Sequence, residues 1–241
     1  MKIRYDLHIH SCLSPCGDDA MTPAFIAGSA ALEGIGLIAL TDHNTSDNCP
    51  AFKKAADFYG VSALFGMELT TAEDIHVVCL FGSPEKAAEF SEYVKQRHRR
   101  PDNQPEIFGR QLIVDEEDNI VREEKGLLIY ATEIDFETAG KVVFDMGGAA
   151  FPAHIDKNSN GAVAILGTVP EYAGYRLCEV HDPGAVPEIS KFVEYRDTEF
   201  ISNSDAHYPD AIGTAGGEIE LPEGAPAEQM LLYLRRHYKR R

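Results

Sequence analysis

Two histidines stand one residue apart at the end of an apolar run, in the segment IRYDLHIHSCLSPCGDD at residues 3–19. Side chains at positions i and i+2 of a β-strand point to the same face, so His8 and His10 should project together. Two imidazoles placed in this way can chelate one metal ion. A hydrogen-bonded pair of core histidines is the alternative, and the two residues alone do not decide between these interpretations.

Further histidines and carboxylates follow other apolar runs along the chain. Seven of the nine histidines lie within or directly after a predicted strand. The segments IALTDHNT, FGMELTTAEDIHVVCLF, AAFPAHIDKN and FISNSDAHYPD add the candidates Asp42, His43, Glu68, His76, His154, Asp205 and His207. Imidazole and carboxylate ligands without a regular thiolate set suit Zn²⁺, Mn²⁺ or Fe²⁺. Their number exceeds the needs of one ion, which favours two or three ions sharing carboxylate bridges.

The elements that must position these residues are short apolar runs alternating with helical segments. The pattern predicts seven strands, at Ile3–His10, Gly36–Thr41, Ala63–Leu69, Ile75–Phe81, Ala149–His154, Leu177–Val180 and Phe200–Asn203. Most are continuously apolar, as parallel strands covered on both faces are. Six helices are predicted, at Thr22–Gly34, Ala51–Tyr59, Pro84–Arg97, Asp135–Met146, Glu188–Tyr195 and Ala227–Tyr238. The β-α-β order indicates a barrel or an open α/β sheet, and barrel active sites lie at the carboxyl ends of the strands.

One segment departs from this alternation. Residues 101–129 predict a loop and then a hairpin that turns at Glu116–Asn119. We interpret this segment as an insertion within a single domain of residues 1–241.

The composition limits the classes of partner. The chain has 241 residues, with 22 Lys and Arg against 39 Asp and Glu, and a formal net charge of −17. Such a charge repels phosphate backbones and disfavours nucleic acid as a partner. A small anionic substrate would need bound cations to reverse the field locally. Five cysteines without CxxC pairing indicate reduced thiols. With no apolar run long enough for a membrane span and no signal-peptide pattern, we expect a cytoplasmic protein.

Taken together, these motifs resemble the PHP family, named for polymerase and histidinol phosphatase domains. The matching elements are His8-x-His10, Thr41-Asp42-His43, Glu68, His76, Ala153-His154 and Ser204-Asp205-Ala206-His207, in the family order. The resemblance covers nearly the whole chain and implies a distorted (β/α)7 barrel of TIM-like type, here as a stand-alone PHP-domain protein. It also implies a metal-dependent phosphoesterase.

The resemblance further implies how ligands divide among three ions. His8, His10, Glu68 and Asp205 would hold the first ion. Glu68 would bridge to the second, which His76 and His154 complete. His43 and His207 would hold the third, with one ligand from the SPCGDD loop. Spacing to Thr22-Pro23 favours Asp18 for that ligand, whereas Cys16 falls where some family members carry a histidine.

The implied reaction is hydrolysis of a small phosphate monoester, such as a nucleotide or a sugar or alcohol phosphate. A hydroxide bridging two ions would attack the phosphorus, since coordination lowers the pKa of water. His181, ending the sixth strand, is a candidate for protonating the leaving group or contacting phosphate, or else a strand-end histidine with a structural partner. Asp42 would orient a ligand imidazole.

Two other functions remain open at this point. A related amidohydrolase-type barrel would act at carbon, but no lysine suited to carbamylation or catalysis is evident at a strand end. A non-catalytic PHP domain that binds or regulates would have lost ligands, and the set here is complete. The sequence indicates neither the oligomeric state nor the identity of the substrate.

Overall fold

The computed structural model describes residues 1–239, which form ten strands and eight α-helices. The strands are β1 (Lys2–Ile9), β2 (Leu37–Leu40), β3 (Ser62–Thr70), β4 (His76–Phe81), β5 (Leu112–Val114), β6 (Ile120–Glu123), β7 (Ala149–Pro152), β8 (Leu177–Glu179), β9 (Glu199–Ile201) and β10 (Gly217–Glu220). The helices are α1 (Pro23–Leu32), α2 (Cys49–Tyr59), α3 (Pro84–Lys95), α4 (Pro105–Phe108), α5 (Phe136–Asp145), α6 (Ala162–Leu166), α7 (Val186–Ile189) and α8 (Pro226–Arg235).

Seven of the strands form a distorted barrel. Six strands pair in the order β10-β1-β2-β3-β4-β7, and β8 pairs with β9 in a second sheet. The second sheet meets β7 through the hydrogen bond from Ile155 N to Glu179 O, at 2.9 Å. On its other side it meets β1 through the bond from His10 N to Ala206 O, also 2.9 Å. The ring therefore runs β1-β2-β3-β4-β7-β8-β9, and β10 adds to the outer edge of β1.

The seven predicted strands are confirmed, but one strand that has the apolar pattern of a parallel strand runs antiparallel to its neighbours. β1, β2 and β3 are parallel, whereas β4 is antiparallel to both β3 and β7. The short turn at residues 71–75 joins β3 directly to β4, and a parallel pair would have needed a longer crossover. His76 therefore opens β4 opposite Thr70, at the end of the barrel where β3 finishes.

Close packing of this hairpin requires a glycine. A Cβ at Gly66 of β3 would lie 1.8 Å from the carbonyl oxygen of Cys79 on β4. No side chain fits there, which explains a glycine inside a strand two residues before Glu68.

Most of the predicted helices are confirmed with slightly different ends. Thr22 caps α1 by accepting from Phe25 N, with Pro23 in the first turn, as the Thr-Pro pair predicts. Asp135 caps α5 in the same way through Thr138 N. The helix predicted over Glu188–Tyr195 is wrong in extent, since α7 covers only four residues and a 3₁₀ turn follows it. The sequence reading did not predict α4, α6 or β10.

The predicted hairpin insertion is confirmed as β5 and β6, which pair antiparallel on either side of the turn. It is held to the barrel by Asn48, whose side chain donates to Leu112 O and accepts from Val114 N. No helix among residues 1–239 is both long enough and apolar enough to span a membrane.

Candidate metal centre

The histidines and carboxylates singled out from the sequence meet at one end of the barrel. His8 and His10 come from β1, Glu68 from β3 and His76 from the start of β4. The other members follow strand ends, with Asp42 and His43 after β2, His154 after β7, and Asp205 and His207 beyond β9. Apart from Asp205 and His207, which are slightly exposed, all of these side chains are buried. We call this group, without Asp42, the histidine cluster.

Four side chains form the first group of the cluster. His8, His10, Glu68 and Asp205 each offer an atom within 4.8 Å of the others. The Nε2 atoms of His8 and His10 lie 3.1 Å apart, as expected for neighbours on one strand face. Each Nε2 is 3.3–3.4 Å from Asp205 Oδ1. These convergent lone pairs suit a single cation.

Glu68 stands at the centre of the cluster. Its Oε1 lies 2.8 Å from His76 Nδ1 and 3.0 Å from His154 Nε2. Its Oε2 lies 3.1 Å from His43 Nδ1 and 3.4 Å from His10 Nε2. One carboxylate thus faces imidazoles from four segments, an arrangement that would suit a ligand shared by two ions.

A third group joins His10, His43 and His207, whose ligand atoms again lie within 4.8 Å of one another. The rings of His10 and His207 stack with their centroids 4.0 Å apart.

The structure does not bring Asp18 to this group. Asp18 is exposed, and its carboxylate accepts a hydrogen bond from Ala20 N at 2.8 Å within its own turn. The thiol of Cys16 lies in its place, with Sγ 3.2 Å from His43 Nε2. In this structure the carboxylate of Asp18 thus closes its own turn, whereas the alternative candidate Cys16 faces the group.

His181 is also outside the cluster. It is exposed beyond the end of β8, and its backbone N–H donates to Asp156 Oδ1 at 2.7 Å. No contact of its ring with the cluster occurs among residues 1–239. Lys157 lies closer to the site, since its Nζ is 2.7 Å from Asp205 Oδ2.

Asp42 lies behind the cluster and reaches it through a serine. Its carboxylate accepts from Ser14 Oγ at 2.8 Å and from both the amide and the hydroxyl of Ser11 at 2.7 Å. Ser14 Oγ is 2.9 Å from His10 Nδ1. With its own proton donated to Asp42, the Ser14 oxygen accepts from His10 Nδ1–H. This places the lone pair of His10 on Nε2, facing the cluster.

Glu179 orients the ring of His8 as Ser14 and Asp42 orient that of His10. It was not among the residues predicted from the sequence. Its Oε2 lies 2.9 Å from His8 Nδ1 and accepts from His154 N at 3.0 Å. Its Oε1 accepts from Asn203 Nδ2 at 2.9 Å. The available signal was a lone carboxylate in the apolar strand segment LCEV, because a buried acid in a strand requires partners.

Burial and neighbouring charges divide the imidazoles into two kinds. Burial alone would lower the pKa of His8, but the carboxylates of Glu179 and Asp205 raise it well above its usual value. Burial lowers the pKa of His43 well below its usual value, and the charge of His10 adds to that effect. Burial also lowers the pKa of His207 to about 4. His43 and His207 are therefore neutral rings with a lone pair available to a cation.

The carboxylate at the centre is an anion. Burial alone would raise the pKa of Glu68, but the imidazoles of His76 and His8 hold it well below its usual range. The same balance, with His8 and His10 as the opposing charges, lowers the pKa of Asp205. Two buried anions thus lie among the histidine side chains, and a divalent cation would compensate them directly.

The backbone is strained where the cluster is assembled. Non-glycine residues in the left-handed region include Asn44 (φ 53°), His154 (φ 29°) and Asp205 (φ 50°). Each follows a strand of the barrel at the end where the cluster lies. Such conformations cost free energy and persist where the surrounding contacts enforce them, as the hydrogen bond from His154 N to Glu179 does here.

Several buried polar atoms of the cluster lack a hydrogen-bond partner among residues 1–239. They are His43 Nδ1, both ring nitrogens of His76, His154 Nδ1 and Asp205 Oδ1. His43 Nδ1 and His76 Nδ1 lie close to Glu68, and Asp205 Oδ1 lies close to His8 and His10, but these contacts do not have hydrogen-bond geometry. Unpartnered buried polar groups are rare and costly, so their concentration at one place calls for a common cause. Metal ions at the centre of the cluster would supply it, and the residues present fit such ions.

A TIM-like α/β barrel with histidines and carboxylates gathered at one end is an arrangement that metal-dependent hydrolases use. The chain belongs to the PHP domain family, whose pattern matches residues 6–169.

A curated relative matches part of the chain. The 5'-3' exoribonuclease of Haemophilus influenzae is 32% identical over 83 residues, which are 33% of this chain and 29% of that protein. The chain spans less than a third of the curated relatives that it matches.

Solved structures share the fold at low sequence identity. Endonuclease Q, in complex with a 27-mer DNA duplex carrying an abasic lesion, has a TM-score of 0.70 and 19% identity, over 98% of this chain and 57% of that chain. An amidohydrolase from Chromobacterium violaceum, with bound sulfate and no metal, has a TM-score of 0.61 and 20% identity, over 95% of this chain and 96% of that chain. Since a protein of this fold binds DNA, the fold itself does not exclude nucleic acid.

Proposed function

We propose that this chain is a cytoplasmic, single-domain phosphoesterase that hydrolyses a small phosphate monoester, with two or three Zn²⁺, Mn²⁺ or Fe²⁺ ions in the histidine cluster. The observation that carries the proposal is the set of buried ligand atoms that converge on the central carboxylate of Glu68 without a hydrogen bond. The proposed first ion lies among His8, His10, Glu68 and Asp205. A second lies among Glu68, His76 and His154, and a third beside His43 and His207.

Bound divalent ions would supply Lewis acidity, which activates water and neutralises charge on the phosphoryl group. The chain's own part is to fix the ligand atoms. Glu179 and the pair Ser14–Asp42 hold His8 and His10 with Nε2 facing inward. Lys157 Nζ holds Asp205 Oδ2 and leaves Oδ1 directed at the histidines.

The distribution of basic groups favours a small substrate over a polyanion. The arginines of the insertion and its flank pair with carboxylates, with Arg100 3.0 Å from Glu124, Arg110 3.4 Å from Asp19 and Arg122 2.5 Å from Asp47. Because these arginines are paired and the net charge is −17, little positive potential remains along this surface to attract the phosphates of a nucleic acid. A single phosphate group needs only the cations of the cluster.

A phosphodiester in nucleic acid is the second candidate. The likeness to an endonuclease bound to DNA and to an exoribonuclease favours it, because a terminal nucleotide could reach the same ions. An amide substrate follows from the amidohydrolase neighbour and is the third class to test.

The experiment is metal analysis of the purified protein, followed by a hydrolysis screen in Mn²⁺, Zn²⁺ and Fe²⁺. The substrates of the screen are nucleotide and sugar monophosphates, 5'-phosphorylated RNA and DNA oligonucleotides, an abasic duplex, and simple amides. We expect bound metal and phosphate release from monoesters. Nucleotide release from oligonucleotides alone would establish the second candidate, and the absence of both metal and hydrolysis would refute the proposal.

A variant pair connects the activity to the cluster. His10→Ala should abolish hydrolysis and lower metal content. His237→Ala is the matched control, since this ring contacts Tyr233 O and Glu199 away from the cluster. Equal activity in both variants would place the reaction elsewhere.

A further inference from the structure

Cys16 differs from the other cysteines in its surroundings. Cys12, Cys49, Cys79 and Cys178 are buried among apolar side chains, whereas Cys16 is partly exposed. The first three of these buried thiols point to backbone carbonyls, of Leu112, Gly66 and Val77 respectively. The thiol of Cys16 instead faces an imidazole nitrogen, with Sγ 3.2 Å from His43 Nε2.

The loop that carries Cys16 is fixed against the cluster. Ser14 N donates to Ser11 O and Gly17 N donates to Ser14 O, so that two successive turns present Cys16 inward. A Cβ at Gly17 would lie 2.7 Å from Ser11 O, which leaves glycine as the fitting residue. The next amide, of Asp18, donates to His207 O at 2.9 Å. The loop is therefore attached to the segment that carries a second histidine of the third group.

The spacing of the thiol and the imidazole fits two ligands of one ion. With usual zinc–sulfur and zinc–nitrogen distances, two such ligands lie about 3.6 Å apart at a tetrahedral angle and about 3.1 Å apart at a right angle. The observed 3.2 Å lies within that range. His43 belongs to the third group, in which His10, His43 and His207 offer three nitrogens within 4.8 Å of one another, and Cys16 contacts this group through His43.

We propose that Cys16, as a thiolate, binds a divalent ion together with His43 and His207, so that the third ion of this chain has a sulfur ligand. The thiol proton leaves to solvent as the sulfur–metal bond forms. A soft ligand favours Zn²⁺ and Fe²⁺ over Mn²⁺ and Mg²⁺ at this position, unlike the carboxylate and imidazole ligands of the other two. The inference rests on the proposed function only in requiring that the cluster binds metal.

The test is cobalt substitution of metal-depleted protein, followed by absorption spectroscopy and metal counting. Wild-type protein should show a near-ultraviolet thiolate-to-cobalt charge-transfer band. Cys16→Ser should lose that band and one bound ion per chain. Cys16→Asp should regain the ion without the band and with a preference shifted towards Mn²⁺. Asp18→Asn is the matched control and should retain both the band and the ion.

Alkylation gives a second readout that is independent of activity. Iodoacetamide should label Cys16 in the metal-depleted protein, and added Zn²⁺ should protect it. Cobalt bound without the band, a band that persists in Cys16→Ser, or loss of the ion in Asp18→Asn would each overturn the inference. If phosphate is released while the band is missing, only the sulfur ligand is refuted. If the band is present without any hydrolysis, only the proposed function is refuted.

Discussion

Glu179 Oε2 lies 2.9 Å from His8 Nδ1, although the two residues are 171 positions apart in the chain. Both side chains are buried, so the contact is shielded from solvent. The carboxylate accepts a hydrogen bond from His8 Nδ1–H, which holds the ring with its Nε2 atom facing Glu68 and Asp205.

Replacing this carboxylate with an amide should weaken metal binding. In Glu179→Gln one acceptor oxygen becomes an NH₂ donor, while His8, the His154 amide and Asn203 all donate to this group. We expect metal affinity about 10–100-fold lower, the usual effect of losing such a partner. Competition with a chelator measures it. The exposed Glu188→Gln is the control, and equal affinities in the two variants would contradict the assigned role.

Glu68→Gln should remove more metal than any other single carboxylate variant. Its Oε1 faces His76 and His154 and its Oε2 faces His10, so one substitution affects the proposed first and second ions. Elemental analysis should show a loss of more than one ion per chain. Glu89→Gln on the exposed face of α3 should keep the full content. A loss of one ion or fewer in Glu68→Gln would mean that this carboxylate does not bridge.

Ser14→Ala should break the connection between Asp42 and His10 without unfolding the chain. Asp42 keeps its two hydrogen bonds from Ser11, whereas His10 Nδ1 loses its acceptor and the ring can change tautomer. We expect a lower affinity for the first ion, about 10-fold or more, with unchanged circular dichroism. Titration with Zn²⁺ measures it. The exposed Ser190→Ala should titrate like wild type, and the same behaviour in Ser14→Ala would show that the serine is dispensable.

His98 should make the metal-depleted protein sensitive to acid. Burial, and then the charge of Arg100, lower the pKa of His98 to about 4 from its usual 6.5. The unfolded chain therefore binds the proton more readily between these values. The stability that this group contributes is complete above about pH 6.5 and is lost as the pH falls towards 4.

Urea unfolding at several pH values compares wild type with His98→Gln. The glutamine can still donate to Tyr130 O, the partner of His98 Nε2, but it does not titrate. The variant should lose less free energy of unfolding than wild type over this pH window. Parallel curves would show that His98 is not the responsive group.

The strands of the ring and most residues of the histidine cluster could be predicted, because local sequence patterns encode them. Continuous apolar runs identified the seven ring strands, and the polar residues that follow them identified most of the cluster. The direction of β4 was not predictable in the same way, because the short turn at residues 71–75 decides it and leaves the apolar pattern unchanged.

The remaining differences between sequence and structure concern contacts between residues distant in sequence. Glu179 has no local motif, and its partner His8 lies at the other end of the chain. For the loop ligand, spacing pointed to Asp18, but a hydrogen bond to Ala20 N occupies that carboxylate and turns it outward. His181 follows a strand end as the true cluster members do, yet the chain turns it to solvent.

The contact between β1 and the segment after β9 closes the ring of strands, and it sets the order of chain synthesis, folding and metal binding. The bond from His10 N to Ala206 O joins the first ring strand to the last, beside Asp205. A chain still being synthesised presents His8 and His10 long before Asp205 exists. The first group of the cluster, which includes Asp205, therefore becomes complete only when the ring has closed. Binding of the proposed first ion should therefore follow folding, and its occupancy would report that the ring has closed.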